Sequence, residues 1–273
     1  AASLAALASA RWPALLVELD GLGGPLALRL GADAGQGSVL AVARAVASED
    51  HAVGELVERW LCRREGWPPA LPLGEPLTDA LDALGRPGAI GAVVDAVTAA
   101  APLAAIDVGF LLAEGDTVGL CARVHREAVV SADAVVLVLG TREAQLESGL
   151  AQLDLLLGPL QLRRERLRVI VNGLGAPGAI ARRDLTAALI ERLAARELTA
   201  DAWLPWDARA LRRAQTRGVP LAAARPRGPY ARALAHFLDD LFLPTTPVAR
   251  ERKRKLPAPA PSADQEVPLP WRN

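Results

Sequence analysis

Two aspartates, Asp20 and Asp107, lie at the ends of short apolar runs. The first follows Ala14–Leu19, and the second is the penultimate residue of Leu103–Val108. A carboxylate at the end of a buried strand can hold Mg²⁺ through water or orient an attacking water beside a phosphate. An Asp in this position also commonly caps the turn that follows the strand. Each aspartate by itself leaves both interpretations open.

The elements that would position these aspartates form an alternating pattern. Four apolar runs are bounded by Gly, Asp or Asn, as buried parallel strands are: Ala14–Leu19, Leu103–Val108, Ala134–Leu139 and Leu167–Val171. The segments between them carry apolar residues three and four positions apart, which is typical of helices that bury one face. Examples are Leu146, Leu150, Leu153 and Leu157, and then Leu185, Leu189 and Leu193. The alternation predicts an α/β fold with a mostly parallel sheet covered by helices on both faces.

In such a sheet, ligands bind at the carboxyl ends of the strands, so the sequence predicts that Asp20 and Asp107 converge at one rim. Less regular sequence lies between Gly31 and Pro102, where we expect a helix over His51–Arg64 and loop over the Pro-rich and Gly-rich stretch Gly66–Pro76. We predict one domain over residues 1–243. Residues 244–273 carry a basic run and many prolines, which predicts a disordered tail.

Composition restricts the class of protein. The chain is 51% hydrophobic with a formal net charge of zero, which excludes a wholly disordered protein and a generally basic nucleic-acid binder. The two cysteines lack the paired spacing of a zinc site, and no apolar stretch reaches the roughly 18 residues of a membrane span. These features favour a cytoplasmic protein. The sequence has no Met and starts inside an Ala-rich segment, so we expect further sequence upstream of it.

Five segments, taken in order, resemble the MinD/ParA-like P-loop ATPases. They are LLVELDGLGGPLALRLG (15–31), AAIDVG (104–109), HREAVVSADAVVLVLGT (125–141), VIVNG (169–173) and LPWDARALRRAQTRGVPL (204–221). The ending PLAAARPRGPYARAL (220–234) is similar to the CpaE/TadZ-like branch of high-GC Gram-positive bacteria. That branch is encoded beside secretion and pilus-assembly genes and includes septum-site-determining homologues. The resemblance covers residues 1–243.

The resemblance implies a role for particular residues, with ATP and Mg²⁺ as cofactors. Asp20 matches the acid that positions the hydrolytic water, with Glu18 as its partner acid. Asp107 matches the Walker B carboxylate that supports the metal, and Gly109 the adjoining switch. Asn172 matches the residue that reads adenine, although the residue type before Gly173 also suits a turn. The resemblance implies two further contacts with the nucleotide. Pro205, Trp206 and Asp207 match the loop that closes over the base, and Ser3 matches the end of the phosphate loop.

The phosphate loop itself is the largest departure from this family. No Gly-rich turn with Lys followed by Ser or Thr occurs, and the two lysines are Lys253 and Lys255. The resemblance therefore implies an ATPase lineage with poor or no hydrolysis by this chain. It also implies that the phosphate-loop strand, which would separate Leu103–Val108 from Ala134–Leu139, is missing. We predict that these two strands do not pair directly.

The function implied is an ATP-binding switch that forms a nucleotide-dependent homodimer and positions a pilus-assembly, secretion or cell-division apparatus. One alternative is a non-catalytic localisation scaffold with a degenerate nucleotide site. Another is a ParA-type partner of the DNA backbone, which arginine clusters would favour; solvated helix ends explain the same clusters. Peripheral membrane contact is disfavoured, because the basic tail lacks an amphipathic helix. The clusters are Arg163, Arg164, Arg166 and Arg168; Arg182 and Arg183; and Arg212 and Arg213.

The histidines and tryptophans support no separate chemistry. His51, His125 and His236 are scattered without metal-ligand spacing, which favours structural roles. Trp203 and Trp206 flank the implied base loop, where either stacking on adenine or packing in the core would suit an aromatic ring.

Overall fold

The computed structural model describes residues 1–20, 26–31, 37–48, 53–74, 84, 86–109 and 118–242, without the side chains of residues 53, 54, 56 and 118–121. The predicted tail, 244–273, lies outside these residues, as does the turn at 21–24. The strands are β1 (Ala14–Glu18), β2 (Ala70–Leu71), β3 (Leu103–Asp107), β4 (Val135–Gly140), β5 (Leu167–Leu174) and β6 (Ala202–Pro205).

The helices alternate with these strands. They are α1 (Ala2–Ala8), α2 (Leu26–Leu30), α3 (Val39–Ala47), α4 (Val53–Trp60), α5 (Ala89–Ala100), α6 (Val118–Ser131), α7 (Glu143–Leu157), α8 (Arg182–Ala194), α9 (Ala208–Arg217), α10 (Leu221–Ala224) and α11 (Pro229–Phe242). Among the helices within these described ranges, none combines the length and the apolar character that crossing a membrane requires.

The strands form two parallel three-stranded sheets, in the orders β2-β1-β3 and β4-β5-β6. In the first sheet, Leu15, Val17 and Leu19 pack against α3 and α5, while Leu16 packs on the other face against Ala5 of α1. In the second sheet, Val169 and Val171 pack against α7 and α8, and Ile170 packs against α11. Successive residues of a strand point to opposite faces, so this alternation covers both sheets with helices. The predicted α/β class is confirmed.

The predicted interruption between β3 and β4 is present. Within the described residues no backbone pairing joins these strands, and each forms the end of its own sheet. The end strand β4 is more exposed than the central strand β5. Val138 of β4 is 52% exposed, whereas Ile170 of β5 is 2% exposed. The two sheets are bridged on one face by α1, whose Leu4 packs against both halves, and near the strand ends by Val108, which also packs against both.

Two features of the region between Gly31 and Pro102 differ from the sequence-based expectation. The helix predicted over His51–Arg64 ends at Trp60, because Cys62 exchanges both backbone hydrogen bonds with Ala70. The stretch predicted as loop contains β2, which pairs with β1 at Leu16 and Val17. Prolines surround this two-residue strand, and proline is tolerated there because β2 is an edge strand. Its length gave no periodicity from which it could be predicted.

Candidate functional site

The carboxyl ends of β1 and β3 lie side by side. The strands pair in register from Ala14 opposite Leu103 to Glu18 opposite Asp107. The pairing continues past the end of β1, since the Leu19 N–H donates to the carbonyl oxygen of Asp107 at 2.7 Å. Asp20 is the next residue, so the structure places Asp20 and Asp107 at the same rim of the first sheet. Asp107 is exposed and Asp20 is partly buried.

Gly109 lies between these two carboxylates. Its N–H donates to Asp107 Oδ1 in a long hydrogen bond of 3.4 Å. A Cβ added at Gly109 would lie 2.5 Å from Asp20 Cγ and 2.6 and 2.8 Å from its two carboxylate oxygens. The φ of Gly109 is +63°, a left-handed conformation that favours glycine. A side chain at position 109 would therefore displace the Asp20 carboxylate from its present position.

Glu18, the partner acid in the resemblance, has a structural role here. Its side chain is buried, Oε1 accepts the Leu26 N–H at 2.9 Å, and Oε2 accepts the Leu73 N–H at 3.1 Å. The carboxylate thus connects the end of β1 to the start of α2 and to the segment after β2. Burial raises the pKa of Glu18, the nearby charges of Asp107 and Asp20 raise it further, and the two hydrogen bonds oppose the shift.

The Glu18→Gln substitution should change how stability depends on pH. A raised folded-state pKa means that the contribution of Glu18 is fully present at pH values below the ordinary carboxyl pKa of 4.5 and is lost as pH rises through the folded-state pKa. At low pH the Gln variant should be less stable by about 1–3 kcal/mol, because an amide NH₂ cannot accept the second N–H. The difference in unfolding free energy between the two proteins should then narrow as pH rises.

Urea unfolding of both proteins at several pH values between 4 and 8 measures this difference, and groups that do not interact with Glu18 cancel in the comparison. A difference that widens with rising pH would contradict the direction of the Glu18 shift.

His125 of α6 contacts the chain at the same strand end, at the residue before Asp20. Its ring is fully buried and its Nε2 lies 3.0 Å from the carbonyl oxygen of Leu19, the residue before Asp20. Leu19 is therefore hydrogen bonded on one side to Asp107 of β3 and on the other to α6. The sequence predicted a structural role for His125, but no pattern in it indicated this contact with the strand that carries Asp20.

Asn172 is exposed near the end of β5, opposite Gly140 of β4 and Leu204 of β6. The β5–β6 register shifts between Asn172 and Leu174, and Gly173 at the shift has a φ of +92°. Irregularities of this kind re-aim the neighbouring side chains at the edge of a sheet. The Trp206 N–H donates to the Leu174 carbonyl at 2.8 Å, which brings the segment with Pro205 and Trp206 beside this strand end. The Trp206 ring is 43% exposed.

Asp207, by contrast, is held in the protein interior. Its Oδ1 accepts the Ala210 N–H at 3.0 Å and caps the start of α9, and both carboxylate oxygens accept from Arg225 Nη1 at 3.0 Å. Burial alone would raise the pKa of Asp207, but these hydrogen bonds and the Arg225 charge outweigh it and lower the pKa. The structure therefore gives Asp207 a capping and ion-pairing role.

Ser3 faces the C-terminal helices. Its hydroxyl oxygen accepts the Ala222 N–H at 3.3 Å, and it is also hydrogen bonded to Tyr230 of α11. The structure thus shows the Ser3 hydroxyl engaged by α10 and α11.

Val108 links the two halves of the domain next to the end of β3. In chain order, α6 lies between β3 of the first sheet and β4 of the second. Across the interruption, Val108, the residue after Asp107, packs against both hydrophobic cores.

Solved structures share this architecture. The septum site-determining protein MinD from Pyrococcus horikoshii OT3, complexed with Mg-ADP, is 18% identical, with a TM-score of 0.57 over 88% of each chain. A ParA family ATPase from Chlorobium tepidum TLS is 15% identical, with a TM-score of 0.62 over 86% of this chain and 91% of the other. The fold is that of the MinD and ParA ATPases.

A third solved structure with this fold is the MinC:MinD cell division protein complex from Aquifex aeolicus. It is 15% identical, with a TM-score of 0.59 over 91% of each chain. No protein-family model and no curated protein sequence matches this chain. In this chain Asp20 and Asp107 lie at the carboxyl ends of strands of the first sheet, and Asn172 lies near the carboxyl end of β5 in the second. Ligands of open α/β sheets bind at such strand ends.

Proposed function

We propose that this protein binds an adenine nucleotide with Mg²⁺ at the rim formed by Asp20, Asp107 and Asn172, and works as a nucleotide-dependent switch. The position of Gly109 beside both carboxylates carries the proposal: its N–H donates to Asp107, and a Cβ there would lie against Asp20. This arrangement falls at the carboxyl ends of two parallel strands, where open α/β sheets bind ligands. The likeness in fold to a MinD complexed with Mg-ADP supports the choice of ligand.

The residues at these strand ends suit Mg²⁺, which keeps several water and phosphate ligands. They suit less well a metal whose ligands all come from the protein. Within the described part of the chain, no group of three or more His, Cys, Asp or Glu side chains could hold a metal ion. Mg²⁺ commonly uses only one or two carboxylates and completes its octahedron with water and phosphate oxygens. Asp107, with Asp20 beside it, supplies that number, while Glu18 is engaged with two backbone amides. Bound there, Mg²⁺ would neutralise phosphate charge.

Asn172 and Trp206 would form the adenine end of the site. The Asn amide offers a donor and an acceptor together, which matches an adenine edge, and the exposed Trp ring is available for stacking. Asp207 would act indirectly, since its bonds to Ala210 and Arg225 fix the loop that carries Trp206.

Titration with ADP in the presence and absence of Mg²⁺ tests this function. The 273-residue chain should bind ADP more tightly with Mg²⁺. The Asp107→Asn variant should reduce that Mg²⁺-dependent gain by about tenfold, or about 1.4 kcal/mol. Isothermal titration calorimetry measures both affinities.

The matched control is Asp133→Asn, which removes an exposed carboxylate just before the amino end of β4, at the opposite side of the sheet. This variant should leave the Mg²⁺ effect unchanged. Equal losses in the two variants, or no nucleotide binding by the wild-type chain, would contradict the switch proposal.

As the wider role, we propose positioning of a cellular assembly, in particular a pilus-assembly, secretion or division apparatus, with a nucleotide-dependent homodimer as the active form. Neighbouring folds include a septum site-determining protein and a MinC:MinD complex, which supports the positioning role. Both lysines lie in the tail sequence, so turnover by this chain should be slow. Failure to bind nucleotide would instead favour the non-catalytic localisation scaffold.

A further inference from the structure

Four arginines line one open cavity outside the candidate nucleotide site. The cavity has a volume of about 430 Å³ and is lined by Arg213 and Arg217 of α9, Ala224 at the end of α10, and Arg225, Pro226 and Arg227 after it. Among the described residues, no acidic residue contributes to the lining. The whole chain has equal numbers of basic and acidic residues, 31 of each, so this concentration of positive charge is local.

Three of these guanidinium groups lack a counter-charge among the residues that the structure describes. The side chains of Arg213, Arg217 and Arg227 make no hydrogen bond or ion pair there. α9 itself, with the sequence ARALRRAQTR, has four arginines and no acid. Arg213 and Arg217 are four positions apart on the same helical face, where like charges repel. The helix dipole favours a cation at Arg217 in the last turn.

The fourth arginine is fixed in place. Arg225 Nη1 donates to both carboxylate oxygens of Asp207, which is buried with 3% of its side chain exposed. This ion pair anchors one wall of the cavity before any ligand enters, so less side-chain freedom is lost on binding. It also connects the cavity to the start of α9 and to the loop that carries Trp206.

We propose that this cavity binds a compact anion that carries phosphate groups. Guanidinium groups are planar donors that pair with phosphate oxygens in a bidentate manner, and they keep their charge at all physiological pH values. Three uncompensated cations match an anion with several negative charges better than a single carboxylate. The lining of this cavity includes none of Asp20, Asp107, Asn172 and Trp206, and the proposal does not depend on nucleotide binding by those residues.

Inorganic pyrophosphate without Mg²⁺ is the probe. It should raise the melting temperature of the wild-type chain increasingly as its concentration rises above the dissociation constant, since a ligand that binds only the folded state stabilises it. The Arg213→Ala/Arg227→Ala variant should bind pyrophosphate at least tenfold more weakly in calorimetry. Because repulsion within the cluster is also relieved, this variant should melt no lower than the wild type when no anion is added, which checks its folding.

Two controls make the test specific. The Arg163→Ala/Arg164→Ala variant removes the same number of charges from a cavity of similar size that contains Glu165 and in which Arg164 is already paired with Glu197 at 3.6 Å. The Asn172→Ala variant alters the proposed nucleotide rim. Both should retain wild-type affinity for pyrophosphate.

The proposal is overturned if pyrophosphate does not bind, or if the cavity variant and the Arg163→Ala/Arg164→Ala control lose affinity equally. Loss of affinity in Asn172→Ala alone would assign the anion to the nucleotide rim and would also overturn it. Retardation of a short DNA duplex with no pyrophosphate binding would indicate an extended basic face instead of a compact cavity, and this too would overturn the proposal.

Discussion

The Asp207→Ala variant is expected to lose about 3 kcal/mol of unfolding free energy at neutral pH. Loss of the cap on α9 accounts for about 1 kcal/mol. Loss of the charge-assisted hydrogen bonds to Arg225 accounts for about 2 kcal/mol. This is less than the loss of a fully buried ion pair would cost, because 31% of the Arg225 side chain is exposed and can regain water. Urea unfolding followed by circular dichroism measures the change.

Two further variants separate these contributions. Asp207→Asn keeps an acceptor for the Ala210 N–H and removes the negative charge, so it should lose only the ion-pair part. Asp154→Ala breaks a similar pair, in which Arg196 Nε and Nη2 donate to the two Asp154 oxygens at 2.7 and 3.0 Å. With 59% of the Asp154 side chain exposed, that variant should lose less than about 1 kcal/mol. Equal losses of unfolding free energy in Asp207→Ala and Asp154→Ala would show that the burial of Asp207 does not increase its contribution to stability.

The pH dependence follows from the lowered pKa of Asp207. A carboxyl group with a depressed folded-state pKa contributes stability that is present above its unfolded pKa and is lost as pH falls through the folded-state pKa. The difference between the wild type and Asp207→Asn should therefore persist at neutral pH and diminish in strongly acidic solution.

Asp207 also shows what the sequence alone could not provide. An Asp before a run with helical propensity predicts an N-cap, but its ion pair depends on Arg225, which is 18 residues further along the chain. The resemblance placed Asp207 in a loop that closes over the base, and nothing in the local pattern indicated that its carboxylate would be buried. Pairings of this kind are set by tertiary packing and are not encoded in the spacing of neighbouring residues.

Strands were predictable where burial was continuous. The runs that became β1, β3, β4 and β5 are apolar on both faces because helices cover both sides of each sheet, and this gave a strong signal. β6, with the four residues AWLP, is too short to show a periodicity. The strands that end in Asp20 and Asp107 were thus found from the sequence, and the two residues were expected at one rim because parallel strands end on the same side.

The hydrogen bonds that fix the residues of that rim could not be predicted from the sequence. Glu18 was matched to a partner acid, yet its carboxylate accepts two backbone N–H groups from segments 8 and 55 residues away. The Nε2 atom of His125 contacts a carbonyl 106 residues earlier in the chain. Such contacts satisfy buried polar groups, and their partners are determined by how the loops between the strands fold back.

Gly109 gives the second large effect, because its replacement acts directly on Asp20. Gly109→Ala introduces a Cβ into a residue with a φ of +63°, which costs about 1–2 kcal/mol by itself. The new methyl group would also lie 2.5 Å from Asp20 Cγ, so the Asp20 carboxylate has to move from its present position. We expect a loss of unfolding free energy greater than the backbone cost, and at least a tenfold loss of Mg²⁺-dependent ADP affinity.

Gly88→Ala is the matched control for Gly109→Ala. Gly88 has a φ of +80°, and a Cβ at this position would have no atom within 4 Å, so this variant carries the backbone cost without the contact. The excess loss in Gly109→Ala over Gly88→Ala therefore measures the approach of Asp20. Shortening the side chain by Asp20→Ala should remove most of that excess in the double variant, because the crowded carboxylate is then absent. If Gly109→Ala and Gly88→Ala are equally stable relative to the wild type and ADP affinity is unchanged, the close approach of Asp20 to this turn has no role in the site.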